Sequence, residues 1–468
     1  MSLAEEGAEI GGKIRRLRRA RRIGQSELAA ALGISGSYLN LIEHNRRKVT
    51  VSLLFSIAGF FGIEPGDLVD GDEARLASHL MEMFADELFA DSDVTNHDVR
   101  DLAHTNPAAA RAVLALYDRY RNLTPSVSQP ADAEGAGFHR ATEAISDFLQ
   151  LNANHFPALE EAAERIRGEI DASGEDFDAG ARTYLSNVFG IETELASLPQ
   201  GIVRQMDGAK GRMRLSDLAS AETTRFLVAQ EIGLLTAARE IDAIVAAAAL
   251  PEVDAPVLAR NVLSAYFAAA LIMPYATFLR ACRDYRYDIE RLGHRFGASF
   301  EQICHRMTTL QRKGASGIPL HLVRTDIAGN ISKRFSLSGI HIPRHSGACP
   351  RWNVYAAFLD PQRLSIQVSE MPDGSRYFCV ARAIAKGAYR YNAPVRYVSI
   401  GIGCAVHHAR EMVYSDGIDL ASDRHVVPVG VSCRICPRLE CGHRAHPPAN
   451  HHFRIDDAER PESLYGRI

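Results

Sequence analysis

At 468 residues the chain exceeds what one hydrophobic core organises, so roughly two to four domains are expected. Apolar residues make up 46% and charged residues 24%, a globular texture that excludes a disordered or fibrous chain. The net charge of −4 excludes a protein that coats nucleic acid. The basic residues crowd instead near the N-terminus, as suits a DNA-reading head on a neutral body. No uninterrupted apolar run approaches the roughly eighteen residues a membrane helix needs, IVAAAAL at 244–250 being the greasiest stretch. The N-terminus lacks a signal-peptide pattern, so a cytoplasmic chain with no membrane partner is expected.

The first predicted element is KIRRLRRARR, Lys13 to Arg22, with seven cations in ten residues and Ile14 and Leu17 facing inward. Neutralising phosphates needs that density of charge. Two short helices follow in QSELAAALGISGSYLNLIEHNRR. Leu28, Ala29 and Leu32 hold helical spacing, Gly33 ends the first helix, and Ser35 caps a second that buries Leu39 and Ile42. The second helix exposes Ser37, Tyr38, Asn40 and His44, a polar face suited to a major groove. Ile57, Phe60, Phe61 and Ile63 supply a closing helix. The stretch from Ile10 to Val69 resembles a Cro/repressor-type helix-turn-helix domain, with residues 8–69 as its bounds. The resemblance implies that Gln25, Ser37, Tyr38 and Asn40 meet DNA, that Ser35 caps, that Arg46 and Arg47 lie near phosphates, and that such heads act as dimers on two half-sites.

Residues 70–123 read as helices of a bundle or dimerisation arm, with Asn106-Pro107 opening the last of them. TPSVSQPADAEGAG, 124–137, reads as a linker. From 138 to 313 the pattern is mostly helical, with YDIERLGHRFGASFEQICHRMTTLQ forming closing helices in which LGHRFGAS serves packing. Within this region RFLVAQEIGLLTAARE resembles the active-site helix of a metallopeptidase-like domain. An active member carries H-E-x-x-H, two histidines that hold zinc beside a catalytic glutamate. This chain has Gln230 and Leu234 at the histidine positions, and Glu231 alone cannot hold the metal. A non-catalytic remnant is therefore expected, and the chain is not an enzyme. Residual peptidase activity is the opposing reading.

From 314 to 468 the texture changes to HLVRTDIAGNISKRFSLSGIHI, WNVYAAF, LSIQVSEM, RYFCVARAIA and VRYVSIGIGC, apolar or alternating runs bounded by turn residues. An α+β domain with an antiparallel sheet and a cysteine-rich tail is expected. The fold class as a whole is multi-domain: an all-α head, a mostly helical middle and this α+β C-terminal domain.

All eight cysteines lie beyond residue 280. Cys433, Cys436 and Cys441 form C-x2-C-x4-C, which offers three corners of a cubane cluster or three ligands of a structural zinc. Cys404 is taken as the fourth ligand, ahead of Cys349; His443 or His446 would complete a zinc site instead. Arg434, Arg438 and Arg444 offset thiolate charge. Cys379 in its strand run, and Cys282 and Cys304 in helical stretches, read as core. A phosphate-bearing ligand with an apolar arm needs cations for its phosphates and an apolar slot. Arg382, Lys386 and Arg390, with Tyr389 and Tyr391, form a basic-aromatic stretch of that kind, and Lys333 and Arg334 form another.

DIAGNISKRFS, SGACPRWNVYAAF, SEMPDGSRYFCVAR, IGCAVHHAREMVYSDGIDL and CRICPRLECGHRAHPP together resemble the short-chain fatty acyl-CoA regulator family. The resemblance spans nearly the whole chain. It implies a bacterial transcription regulator of propionate or acetate assimilation. Operator DNA would be its partner, a short-chain acyl-CoA such as propionyl-CoA its effector, and a homodimer or dimer of dimers its assembly. It also implies a four-iron four-sulfur cluster, carried over most firmly to Cys433, Cys436 and Cys441. A DNA-bound redox or iron sensor with no acyl-CoA effector is the alternative.

Overall fold

The computed structural model describes residues 10–44, 46–47, 49–62, 72–84, 86–89, 94–123, 132–208, 210–250, 254–344, 347–361, 363–387 and 394–447. The chain divides between Pro125 and Ser126 into two compact units.

The first unit opens with α1 (Gly11–Ala20), α2 (Gln25–Ala31), α3 (Gly36–Glu43) and α4 (Val51–Phe61). Ile14, Leu28, Leu39, Ile42 and Ile57 close over one small core, as the spacing requires. Gly33 takes φ +67°, where a Cβ would be strained, and this turns the chain between α2 and α3. Ile63 lies outside the described residues. Three further helices, α5 (Asp72–Phe84), α6 (Asn96–Thr105) and α7 (Pro107–Leu123), form a bundle around Leu80, Val99, Ala103 and Tyr117. Arg16 Nη1 donates to the His104 carbonyl at 2.5 Å and so ties α1 to the end of α6.

The second unit begins with α8 (Asp132–Leu151), so the expected linker is helical from Asp132 onward. The Ala- and Gly-containing sequence there disguised a helix that extends into the amphipathic stretch behind it. Then come α9 (Pro157–Asp171), α10 (Phe177–Phe189), three short strands β1 (Glu192–Ala196), β2 (Arg204–Asp207) and β3 (Arg212–Ser216), and six helices. These are α11 (Ala221–Thr236), α12 (Ala238–Ala247), α13 (Ala255–Ile272), α14 (Tyr275–Asp284), α15 (Ile289–Phe296) and α16 (Phe300–Thr308). The small sheet, order β1-β3-β2, is absent from the sequence reading. Its strands are four or five residues long and rich in charge, too short for alternation to register. Helix α13 is long and apolar enough to cross a membrane, but most of it is buried as the core helix of this unit.

The last part carries β4 (Leu320–Asp326), β5 (Ile331–Ser336), α17 (Asn353–Ala356), β6 (Ser365–Glu370), β7 (Arg376–Lys386), β8 (Arg396–Ala405) and β9 (Val426–Pro428). The six strands make one sheet, order β5-β4-β8-β7-β6-β9, antiparallel except for the parallel β6–β9 pair. WNVYAAF, read as a strand, contains the short helix α17. Asn353 Nδ2 donates to the carbonyls of Ser365 and Cys379, pinning that helix to the sheet.

The two faces of the sheet have different duties. Leu320 and Leu322 of β4, Phe378 and Val380 of β7, and Ile400, Ile402 and Cys404 of β8 share a core with the helices α9 to α16. Val323, Tyr377, Cys379 and Ala381 face the other way, under α17, Trp352, Cys349 and Val429. Across the boundary expected at 313/314, the helical middle and the sheet share one core.

Two buried polar features stand out, one in that core and one on the opposite face of the sheet. Arg306 and Glu160 form a bidentate pair (2.6 and 2.8 Å) with side chains 0% and 1% exposed. His321 is buried on the far face of the sheet, with Nδ1 2.8 Å from Ser338 Oγ and Nε2 3.6 Å from Cys379 Sγ. Burial pulls its pKa down to about 3, so it is neutral in the native state. The unfolded chain, with histidine near 6.5, binds the proton that the folded chain refuses, so stability falls as pH drops through the window between those values. The expected loss from this group is about 2 kcal/mol by pH 5. Denaturant titrations at pH 7 and pH 5 should show it, and His321→Gln should flatten the dependence by that amount.

Candidate DNA-reading face, thiol pocket and cationic cradle

In the head, the N–H of Tyr38 donates to Ser35 Oγ at 3.1 Å, so Ser35 caps α3. Ser37, Asn40 and His44 are exposed along it, and the Arg47 guanidinium lies 5.7 Å from the Tyr38 ring centroid. Arg46 and Arg47 are exposed just beyond. Gln25 is less free than the sequence suggested. Its Nε2 donates to Glu43 at 3.0 Å, and the same buried Glu43 receives Arg18 bidentately at 2.6 and 2.8 Å. Arg21 likewise donates to the carbonyls of Phe60 and Phe61. Of the seven cations read as a phosphate-facing run, Arg18 and Arg21 thus bond within the head, and Arg16 bonds to the helix end at His104. The sequence shows charge density but not where guanidinium groups turn.

In the remnant helix α11, Gln230 Nε2 donates to Ser264 Oγ at 2.9 Å. Glu231 is buried against the Arg204 guanidinium, so its carboxylate is engaged in an ion pair. Leu292 of LGHRFGAS is fully buried, a packing residue.

The thiols sort by sheet face. Cys349, Cys433, Cys436 and Cys441 line one small cavity, with Arg438, His443 and Arg444 around it. Cys404 is elsewhere. It sits opposite Leu320 and Phe378 on the helix-facing side of the sheet, with Met412 Sδ at 3.9 Å. Cys404, expected to complete the set, is thus on the opposite face of the sheet from the tail thiols, whereas Cys349 lies on the far face with the tail. A period of two decides which face a strand residue takes, and only the assembled sheet says which face the tail covers. Cys282 and Cys304 are buried in helices and Cys379 in β7, all free thiols.

The cavity is built to receive sulfur-bound charge. Arg444, nearly buried, donates to the carbonyls of Cys433 (2.6 Å), Cys436 (2.8 Å) and Arg438 (2.7 Å), so it closes the tail into a loop. Ala445 N–H points at Cys433 Sγ at 3.4 Å. A Cβ at Gly430 would lie 2.7 Å from Cys436 Sγ, so only glycine lets the chain pass this thiol. Burial pushes the Cys349 and Cys436 thiols up, while backbone N–H groups of Gly430 and Arg351 at Cys349, and of Arg438 at Cys436, pull the other way. Among the described residues no three His, Cys, Asp or Glu side chains are gathered at single-ion distance. Tetrahedral zinc, with Zn–S near 2.3 Å, needs sulfurs about 3.8 Å apart. A cubane spreads its four thiolates around a larger core. Four thiols around one cavity offer the four ligands that either a cubane cluster or a tetrahedral zinc takes.

The third site gathers cations from three strands. Arg324 of β4, Lys333 of β5 and Lys386 of β7 converge on Glu301 in the first turn of α16, at 3.0, 3.8 and 2.7 Å, with His305 at 3.8 Å. Arg382, four residues before Lys386 on β7, pairs with Glu290 at 2.7 Å and lies 5.7 Å from the Phe300 ring centroid. Burial opposes ionisation of Glu301, but His305, Lys333 and Lys386 hold its carboxyl well below the usual range. Partial burial, with repulsion from Arg324 and Lys386, lowers the Lys333 ammonium from its ordinary value. Burial and Lys333 pull His305 down to about 4. The sequence reading named Arg382, Lys386 and Lys333, and missed Arg324 and Glu301, which no local pattern marks. Arg334 is engaged elsewhere, with Glu143 and Asp147 of α8. Arg390, Tyr389 and Tyr391 lie outside the described residues.

Comparison with known proteins matches this anatomy part by part. Residues 14–68 match a helix-turn-helix family, 187–308 the IrrE N-terminal-like domain, and 309–465 the short-chain fatty acyl coenzyme A regulator C-terminal family. The chain is 34% identical over 465 residues to the HTH-type transcriptional regulator RamB of Mycobacterium tuberculosis, covering 97% of this chain and 98% of that protein. It is 37% identical over 454 residues to a propionyl-CoA carboxylase regulator of Cereibacter sphaeroides, covering 96% of each. A solved Mycobacterium tuberculosis transcriptional regulator superposes with a TM-score of 0.66 at 36% identity, over 70% of this chain and 99% of that one. The helix-turn-helix head, the IrrE-like middle with Gln230 and Leu234 at the histidine positions, and full-length likeness to named regulators make this chain a DNA-binding transcription regulator, and it belongs to the short-chain fatty acyl coenzyme A regulator family.

Proposed function

We propose that this regulator binds operator DNA as a homodimer, that a short-chain acyl-CoA such as propionyl-CoA sets its DNA affinity, and that Cys349, Cys433, Cys436 and Cys441 hold a four-iron four-sulfur cluster. The observation that carries the effector reading is the convergence of Arg324, Lys333 and Lys386 from three strands on one carboxylate. Phosphate recognition uses multiple N–H donors from such cations. Arg382 and the Phe300 ring beside them extend the surface toward an adenine or acyl group. The printed name of the Cereibacter sphaeroides relative, a propionyl-CoA carboxylase regulator, points to the same chemistry. A ligand shifts DNA affinity only by its differential affinity for the states that do and do not bind DNA.

When bound, the cluster would supply redox sensitivity and a covalent tie across the far face of the sheet. The chain's own part is to position four sulfurs, aim Ala445 N–H at one of them, and fold Arg444 over the loop. A second reading, a redox sensor with no acyl-CoA effector, is favoured by the partial exposure of Cys433, Cys436 and Cys441, which gives oxidants access.

Calorimetric titration of the anaerobically purified protein with propionyl-CoA tests the effector reading. Binding is expected, with the Arg324→Met/Lys386→Met double variant weaker by at least about tenfold. Full-strength binding by that double variant would remove the cradle from the reading. No binding by wild type, with operator affinity that tracks iron content, would favour the redox sensor.

A further inference from the structure

The cationic cradle already contains an anion of its own. Glu301 has only 11% of its side chain exposed, whereas Lys333 and Lys386, which surround it, are 45% and 36% exposed. Its Oε1 accepts from Arg324 Nη1 at 3.0 Å, and its Oε2 lies 2.7 Å from Lys386 Nζ. Lys333 Nζ stands 3.8 Å from the first oxygen and 3.3 Å from His305 Nε2, to which it donates. Three cations against one carboxylate leave the group with two surplus positive charges, since His305 is neutral at pH 7. A structural ion pair needs one cation. Surplus cations held this close repel one another, and the arrangement gains most when a second, more highly charged anion arrives.

We propose that Glu301 is an internal counterion that holds the cradle in its ligand-free form, and that a phosphate group of the acyl-CoA displaces it from Lys333 and Lys386. This rests on the placement of the acyl-CoA phosphates in the cradle given above. A phosphate offers more charge and more acceptor oxygens than a carboxylate, so it wins the surface-exposed lysines and leaves Glu301 with the less exposed Arg324 and His305. Glu301 sits in the first turn of α16, whose Ile303, Cys304 and Met307 are core residues and whose Arg306 is locked to Glu160. Movement of its carboxylate is therefore a movement at the end of a helix seated in the shared core. Occupancy of the cradle is felt there rather than only at the surface.

The test compares wild type, Glu301→Gln, Glu301→Asp and Arg324→Met/Lys386→Met by titration with coenzyme A and by thermal midpoint in inorganic phosphate. Glu301→Gln removes the competing charge and is expected to bind coenzyme A roughly tenfold more tightly. It should also gain thermal stability from phosphate at concentrations that leave wild type unmoved. Glu301→Asp keeps the charge on a shorter arm and should fall between the two, which tests the idea even where Glu301→Gln folds poorly. Unchanged or weaker binding by both Glu301 variants, with binding lost in the double variant, overturns the counterion role and leaves the cradle reading intact. Coenzyme A binding by neither wild type nor Glu301→Gln, or binding indifferent to the double variant, overturns both.

Discussion

Replacing Cys349 with serine is expected to strip anaerobically purified protein of its visible absorption and of most of its iron and sulfide, whereas Cys404→Ala leaves all three in place. The contrast follows from sheet geometry. Cys349 lines the cavity with Cys433, Cys436 and Cys441, and Cys404 is sealed between Leu320, Phe378 and Met412 on the other face. A serine oxygen is a far poorer ligand for cluster iron than a thiolate, and three remaining thiolates leave one corner open to solvent and oxidation. The expected effect is near-complete loss in one variant and none in the other, read by absorbance near roughly 400 nm and by iron and sulfide assays. About one zinc per chain and no colour in wild type would make the same four residues a structural staple. Iron retained in Cys349→Ser but lost in Cys404→Ala would contradict the assignment outright. Cys404→Ala should cost stability through the methionine-lined hole it leaves, so stability and iron content must be measured on the same samples.

The second large effect belongs to the core. Arg306→Met should destabilise the 126–447 unit by about 3–5 kcal/mol, because it leaves the Glu160 carboxylate buried without its cation. Arg306 also donates from Nε to the Met273 carbonyl at 3.0 Å and from Nη1 to Thr309 Oγ1 at 2.9 Å, so three structural elements loosen together. In wild type, burial pushes the Glu160 carboxyl up but Arg306 more than offsets it, and the net shift is downward. That stability is present above the unfolded carboxylate range and is lost as pH falls through the lower native value. In Arg306→Met the sign reverses: burial raises the Glu160 pKa above its unfolded value, so the variant's deficit should shrink as pH falls toward 5. The double variant Glu160→Met/Arg306→Met should recover much of the loss at pH 7, since an apolar pair of similar volume replaces a pair that is costly to desolvate. Denaturant midpoints of the three proteins at pH 7 and 5 decide the matter. An Arg306→Met protein as stable as wild type would mean that water or a neighbouring cation reaches Glu160.

Much of this protein is determined by local sequence. The head is legible because each of its signals is short-range: helical spacing at Leu28, Ala29 and Leu32, a left-handed glycine at 33, and a serine cap at 35 that the structure reproduces by its bond to Tyr38. The departure of the middle domain from the zinc motif is legible in two letters, Gln230 and Leu234, which stand where the histidines of H-E-x-x-H would be. The long strands of the last domain are legible from their apolar runs. The short polar strands β1 to β3 and the helix within WNVYAAF are not, since four or five residues do not fix a period.

What only the tertiary structure decided concerns direction and distance. Charge density marks Lys13 to Arg22 as basic, but the fold engages Arg16, Arg18 and Arg21 with carbonyls and with Glu43. Chain order leaves Cys404 as near a candidate as Cys349, and the pleat of β8 points it to the opposite face. The Glu301 cradle draws on α16, β4, β5 and β7, elements whose residues span positions 301 to 386 and meet only when the sheet closes on the helices. Side-chain clusters of this kind are sums of long-range contacts, and a sequence states its residues without stating which of them will face one another.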